Sequence, residues 1–145
     1  MSVRSVYLDT NAIAKRYVVE EHTDRIDELY DRAHAGEVII GFSTWNIGEL
    51  AGVLSKYERR GVLTNAKDLF EKFMGETRLL MKLGQLKLIP LNLDVIVSAI
   101  GYVFKHGIYI ADAVQLTSAK DFDAFLTYDK KLVQVARTEG LNVIT

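Results

Sequence analysis

The stretch Val3-Arg4-Ser5-Val6-Tyr7-Leu8-Asp9-Thr10-Asn11 (VRSVYLDTN) decides the fold. Its first six residues are rich in β-branched and aromatic side chains and run straight into a polar, turn-forming cluster, so a strand is predicted to end at Asp9. Outward from it, Ile26, Leu29, Tyr30 and Ala33 are spaced i, i+3, i+4, i+7. With Thr23 as N-cap and Gly36 as stop, they predict an amphipathic helix. The period then changes. Val38 to Phe42 (VIIGF) is a short apolar run of the kind buried on both faces of a parallel sheet, and Ser43-Thr44 behind it can cap a helix.

The alternation continues to the last residue. Ile47, Leu50, Ala51 and Leu54 form a helical stripe from which Glu49 points well away. Thr64 to Leu83 repeats the helical spacing with more apolar residues than one face needs; Phe70, Phe73 and Met74 are the surplus, and a homodimer interface is one use for them. Leu86 to Leu91 reads as a strand closed by Pro90. Asn92 then opens a helix lined by Val95, Ile96, Ala99, Ile100 and Val103 and ended by His106-Gly107. A helix from Ala111 to Lys120 carries Asp112 in its first turn. A strand at Ala124 to Thr127, a helix at Asp129 to Glu139 and a strand at Leu141 to Ile144 complete the chain. This pattern predicts a three-layer α/β domain, with a mostly parallel central sheet covered by helices on both faces.

The 145 residues fit one domain spanning positions 1–145. With 49% hydrophobic and 26% charged residues, one Pro and scattered Gly, neither a low-complexity nor a disordered class is open. No apolar run reaches the ~18 residues of a membrane span, and the N-terminus carries no extended apolar stretch resembling a signal peptide. A cytoplasmic protein without membrane association is the expectation. The absence of Cys excludes disulfides, thiolate zinc sites and cysteine nucleophiles, so a bound metal would be a hard one. His22, His34 and His106 show no metal-ligand spacing. A formal charge of −1 lacks the positive excess of a dedicated nucleic-acid binder. If four of the 19 acids were engaged in a metal site, however, 15 would stand against 18 basic residues.

Open α/β sheets place ligands beyond the carboxyl ends of their strands. That rule selects Asp9 at the end of the first strand, Glu49 one turn into the helix after the second, Asp129 just past the strand Ala124 to Thr127, and Asp112 at a helix start. Each has a structural reading of its own. Asp9 and Asp129 suit N-caps, Asp112 suits a helix dipole, and Asn46-x-x-Glu49 is spaced as a capping box. Together they demand more, because carboxylates ~5 Å apart repel by roughly 3 kcal/mol per pair at an effective dielectric of ~20. A divalent cation offsets such repulsion, and carboxylate oxygens with water are what Mg²⁺ or Mn²⁺ prefers.

Tyr7-Leu8-Asp9-Thr10-Asn11, Glu49-Leu50, Ile110-Ala111-Asp112-Ala113 and Thr127-Tyr128-Asp129 occur in the order and at roughly the separations of PIN-domain nucleases. The resemblance covers essentially the whole chain, and the small size resembles the VapC-type ribonuclease toxins of toxin–antitoxin systems. It implies that Asp9, Glu49, Asp112 and Asp129 are both metal ligands and catalytic residues for Mg²⁺ (or Mn²⁺), with Thr10, Asn11 or Thr127 supporting them. The implied activity is endoribonuclease, hydrolysing RNA phosphodiesters with metal-activated water to leave 5′-phosphate and 3′-hydroxyl ends. A cognate antitoxin, occluding the acids with a basic side chain, is the implied partner.

Candidate phosphate contacts are Lys15, Arg16, Lys56, Arg59, Arg60, Lys130 and Lys131, and candidate base-stacking residues are Tyr17, Trp45, Tyr109 and Tyr128. Four rivals stand beside this reading. An aspartate-nucleophile phosphohydrolase commonly has a second acid where Asn11 stands, and a nucleotide-binding domain would need a glycine-rich phosphate loop that the chain lacks. An inert PIN fold that binds RNA or protein, or a PIN nuclease of RNA processing, would keep the fold without the toxin role.

Overall fold

The computed structural model describes residues 3–145. Over these residues the chain forms strands β1 (Ser5–Leu8), β2 (Ile39–Ser43), β3 (Leu86–Ile89), β4 (Ala124–Leu126) and β5 (Val143–Ile144). Between them lie helices α1 (Thr10–Tyr17), α2 (Thr23–His34), α3 (Thr44–Arg59), α4 (Ala66–Lys82), α5 (Leu93–His106), α6 (Ile110–Ala119) and α7 (Lys130–Thr138). The strands make one sheet in the order β3-β2-β1-β4-β5, and every pairing is parallel. The chain winds outward from β1 to β3 and then crosses to the other side of β1, which puts the topological switch point between β1 and β4.

Strand alternation sorts the core into two layers. Val6, Leu8, Ile40, Phe42, Ala124 and Leu126 face one side and pack against α1, α2, α3 and α4. Tyr7, Phe125 and Val143 face the other, against α5, α6 and α7. Opposite Tyr7 in the β1–β2 register stands Gly41. A Cβ there would lie 2.3 Å from the Phe122 ring and 2.7 Å from the Lys87 carbonyl oxygen. The glycine is required because the edge of the Phe122 ring, whose centroid lies 5.4 Å from that of Tyr7, occupies the space a side chain would fill.

Local corrections to the sequence reading have identifiable causes. α1 is only eight residues long, too short for a bounded apolar period, and is started by the Asp9 side chain accepting from Ala12 N. His22, not Thr23, caps α2; it sits at φ 70° and makes no side-chain cap bond. The Thr23 hydroxyl instead donates to Lys15 O and accepts from Glu20 N, closing the α1–α2 turn. The capping box of α3 pairs Ser43 with Asn46 rather than Asn46 with Glu49. Phe73 is fully buried and serves the interior, while Phe70 and Met74 are half-buried and pack against the same core. Ile100, expected inside, is 41% exposed. Among the described residues no single helix is long and apolar enough to cross a membrane, and the apolar α5–α6 pair turns by 117°.

Candidate active site

Asp9, Glu49, Asp112 and Asp129 all line one open cleft of about 350 Å³ at the carboxyl ends of β1 and β4. Four different elements deliver them. Asp9 follows β1, where parallel pairing on both sides fixes the backbone. Its Oδ1 accepts from Ala12 N at 2.8 Å and its Oδ2 accepts the Thr127 hydroxyl from the end of β4. Asp129 caps α7 through Leu132 N at 3.0 Å. Asp112 stands in the first turn of α6, and Glu49 on α3 accepts the Thr10 hydroxyl at 2.7 Å. The N-cap reading of Asp9 and Asp129 and the cleft reading are therefore both satisfied, because a strand-to-helix turn aims its cap across the end of the sheet.

The cleft is electrostatically strained toward a cation. Burial, helped by the charges of Asp129 and Glu49, pushes the Asp9 carboxyl up to about 6 against the bonds from Thr127 and Ala12, which favour its charged form. Asp112 is raised by burial and then by the same two neighbours, with Lys131 opposing. Carboxylates that raise one another in this way are a donor set suited to a hard divalent ion, and neither imidazole nor sulfur lines the cleft among the described residues. Among those residues no three acids or histidines stand grouped closely enough to hold a metal ion directly. An open cleft of this size suits an ion that keeps several waters, as Mg²⁺ does.

Beneath the cleft lie polar residues whose roles sequence periodicity did not reveal, of which Gln115 alone reaches its lining. Asn46, Tyr7 and Gln115 form a buried hydrogen-bonded group beneath Thr10 and Glu49. Gln115 was detectable as the lone amide in the otherwise apolar first turns of α6, one turn beyond Asp112. Among the expected phosphate contacts, Lys56 lines the cleft. Arg16 does not: Glu76 holds it at 2.8 and 3.0 Å and Asp27 at 2.8 Å, behind the site. Lys15 pairs with Glu20 at 3.3 Å. Of the four candidate base-stacking residues, Tyr109 is 81% exposed. The Tyr17 hydroxyl donates to Glu76, Trp45 is half-buried in the second core layer, and Tyr128 stacks on His22 with ring centroids 4.2 Å apart.

The profile described as PIN domain matches residues 6–138. No curated protein matches the chain significantly. Among solved structures, one chain of the VapBC2 crystal structure from Rickettsia felis, bound to a DNA fragment from their promoter, is similar over 97% of both chains with a TM-score of 0.60 and 18% identity. Mycobacterium tuberculosis VapC20, described as a sarcin-ricin loop cleaving toxin, is similar over 90% of this chain and 94% of its own, with a TM-score of 0.61 and 14% identity. PAE2754 from Pyrobaculum aerophilum is similar over 97% and 83%, with a TM-score of 0.61 and 17% identity.

Proposed function

The chain belongs to the PIN domain family, and from that premise we propose that it is a divalent-metal-dependent endoribonuclease of the VapC type. One observation carries the proposal: four carboxylates from four separate elements converge on one cleft at the switch point of a parallel sheet. Asp9, Glu49, Asp112 and Asp129 are the residues that would hold Mg²⁺ or Mn²⁺. Bound there, the ion supplies Lewis-acid stabilisation of a phosphodiester and lowers the pKa of a water near it.

The protein's own residues do the rest. Asp9, gripped on both oxygens by Ala12 N and Thr127 Oγ1, keeps a fixed direction across the cleft. Lys56, on the same helix as Glu49, supplies a cation to a backbone phosphate entering from the α3 side. Tyr109, at the start of the helix that carries Asp112, offers a free aromatic face to an unpaired base. RNA is the substrate class favoured by the likeness to VapC20, which cleaves the sarcin-ricin loop. The likeness to VapBC2 supports a cognate antitoxin as partner, and the acid-rich cleft suits a basic side chain delivered by it. A cytoplasmic location accompanies that role.

The test is cleavage of end-labelled single-stranded RNA by purified protein with Mn²⁺, with EDTA, and with the Asp112→Asn variant alongside. Cleavage that requires both the metal and Asp112, with 5′-phosphate and 3′-hydroxyl ends, is the expected result. Equal cutting by wild type and variant would overturn the site assignment. RNA binding that takes up no Mn²⁺ would favour an inert PIN module.

A further inference from the structure

The polar group beneath the acids has a hydrogen-bond direction that can be read without locating a single proton. The backbone N–H of Ser43 lies 2.7 Å from Asn46 Oδ1. A backbone N–H can only donate, so the Asn46 atom facing it is the carbonyl oxygen, and the amide nitrogen faces the other way. That nitrogen donates to Thr10 Oγ1 at 2.8 Å and to Gln115 Oε1 at 2.9 Å. Having accepted there, the Thr10 hydroxyl directs its own proton to Glu49 Oε1, 2.7 Å away. The single proton of the Tyr7 phenol faces two acceptors, Gln115 Oε1 at 2.8 Å and Asn46 Oδ1 at 3.1 Å. With its oxygen turned to Asn46 and Tyr7, Gln115 leaves its amide nitrogen buried without a partner among the described residues.

Resting on the nuclease reading above, we propose that Asn46 is a positioning residue for Glu49, acting through Thr10. The same oxygen that completes the α3 capping box sets the direction of the relay, so the fold of the helix start and the aim of a cleft carboxylate are one arrangement. Asn46 is fully buried and does not line the cleft, so it acts on a bound ion only through these bonds. A merely structural Asn46 would matter for the helix cap and leave metal affinity alone.

Thr10→Val removes the middle of the relay and leaves the cap intact. Asn46→Asp keeps an oxygen for Ser43 N but replaces the donor to Thr10 with an acceptor, reversing the relay. Mn²⁺ affinity of the purified full chain, measured by calorimetry, is the readout, with thermal unfolding of the metal-free protein as the structural control. Each single variant is expected to weaken Mn²⁺ binding by about 10- to 100-fold, in the range of outer-sphere ligand partners. The double variant is expected to be no weaker than the worse single one, and Thr10→Ser to recover most of what Thr10→Val loses. Asn46→Ala replaces Asn46→Asp in the cycle should the buried charge prevent folding. Full additivity of the two sites, or unchanged Mn²⁺ affinity in Thr10→Val, would overturn the relay alone. Failure of the wild-type protein to take up Mn²⁺ would overturn the nuclease reading, and the relay with it.

Discussion

The Thr127 hydroxyl donates to Asp9 Oδ2, joining the ends of β4 and β1 across the switch point of the sheet. Both residues are buried, Thr127 completely. Asp129 N in turn donates to the same hydroxyl oxygen at 3.2 Å, so one threonine ties together the turns that carry two of the four acids. Replacing it with Val keeps shape and removes both bonds. We expect Thr127→Val to weaken Mn²⁺ binding by about 10- to 100-fold. Because the lost bond favours ionised Asp9, its carboxyl would rise further above 6, and the pH at which Mn²⁺ uptake is half-maximal should move upward. Calorimetric titrations between pH 5 and 8 check both effects.

Asp9 itself should show opposite signs in stability and function. Its folded-state value of about 6 lies above the ordinary 3.8, so the folded metal-free protein holds that proton more tightly than the unfolded chain does. The stability this contributes is whole below pH 3.8 and is lost as pH rises through about 6. Asp9→Asn can still accept from Ala12 N, yet carries no charge into the buried site. At pH 7 the metal-free variant should therefore be more stable than wild type by about 2 kcal/mol, with Mn²⁺ uptake abolished. A higher denaturation midpoint with no calorimetric Mn²⁺ signal is the expected pair of results; a lower midpoint would show that the charge of Asp9 is already compensated.

The elements were legible in the sequence where burial has a period. β1 and β2 announce themselves because both of their faces are covered, and the strand-end rule selects one at a time the acids that the fold brings to one cleft. α1 was missed since eight residues give too few turns to establish a stripe. The surplus of Phe70, Phe73 and Met74 has an internal use that periodicity cannot show, because it cannot say how many neighbours a helix has; α4 lies against α3, α1 and β3, with Phe73 fully buried among them. Arg16 looked like a phosphate contact by its proximity to Asp9, whereas α1 turns it away from the cleft toward Glu76. Apart from the Asn46 bond to Ser43 in the capping box, Asn46 and Gln115 bond to residues 36 to 108 positions away, and pairings of that kind leave no local spacing to read.

Gly41 offers a test of the second core layer that does not touch the acids. Its missing side chain admits the Phe122 ring over β2, beside Tyr7. Gly41→Ala would put a methyl 2.3 Å from that ring and 2.7 Å from a neighbouring strand's carbonyl, which is backbone and cannot turn aside. The cost should be about 1 to 3 kcal/mol, typical of overpacking, seen as a lower urea midpoint at unchanged slope. Gly41→Ala/Phe122→Leu should recover only part of it, because the carbonyl contact remains.

Behind the site, Glu76 gathers α1, α2 and α4. Its two oxygens accept from Arg16 Nε and Nη2, Tyr17 Oη and His34 Nε2 at 2.7 to 3.0 Å. Burial pushes this carboxyl up, but the bonds from Arg16, His34 and Tyr17 outweigh it and hold it down at about 2. A folded-state value below the ordinary 4.5 means that the stability it contributes is present above pH 4.5 and lost as pH falls through about 2. Glu76→Gln keeps the size, loses the charge that satisfies Arg16, and leaves Asp27 as the remaining carboxylate partner. We expect it to destabilise the fold by about 2 kcal/mol at pH 7, less than a fully buried pair would lose, because Arg16 and Glu76 retain some solvent contact. Urea unfolding from pH 2 to 7 should show wild-type stability declining on the acid side and the variant declining less. Since α1 runs from the Asp9 cap to Arg16 and Tyr17, the variant should also loosen the far end of the helix that Asp9 starts, with faster amide exchange there. Parallel acid limbs in the two proteins would place the acid sensitivity in some other carboxylate.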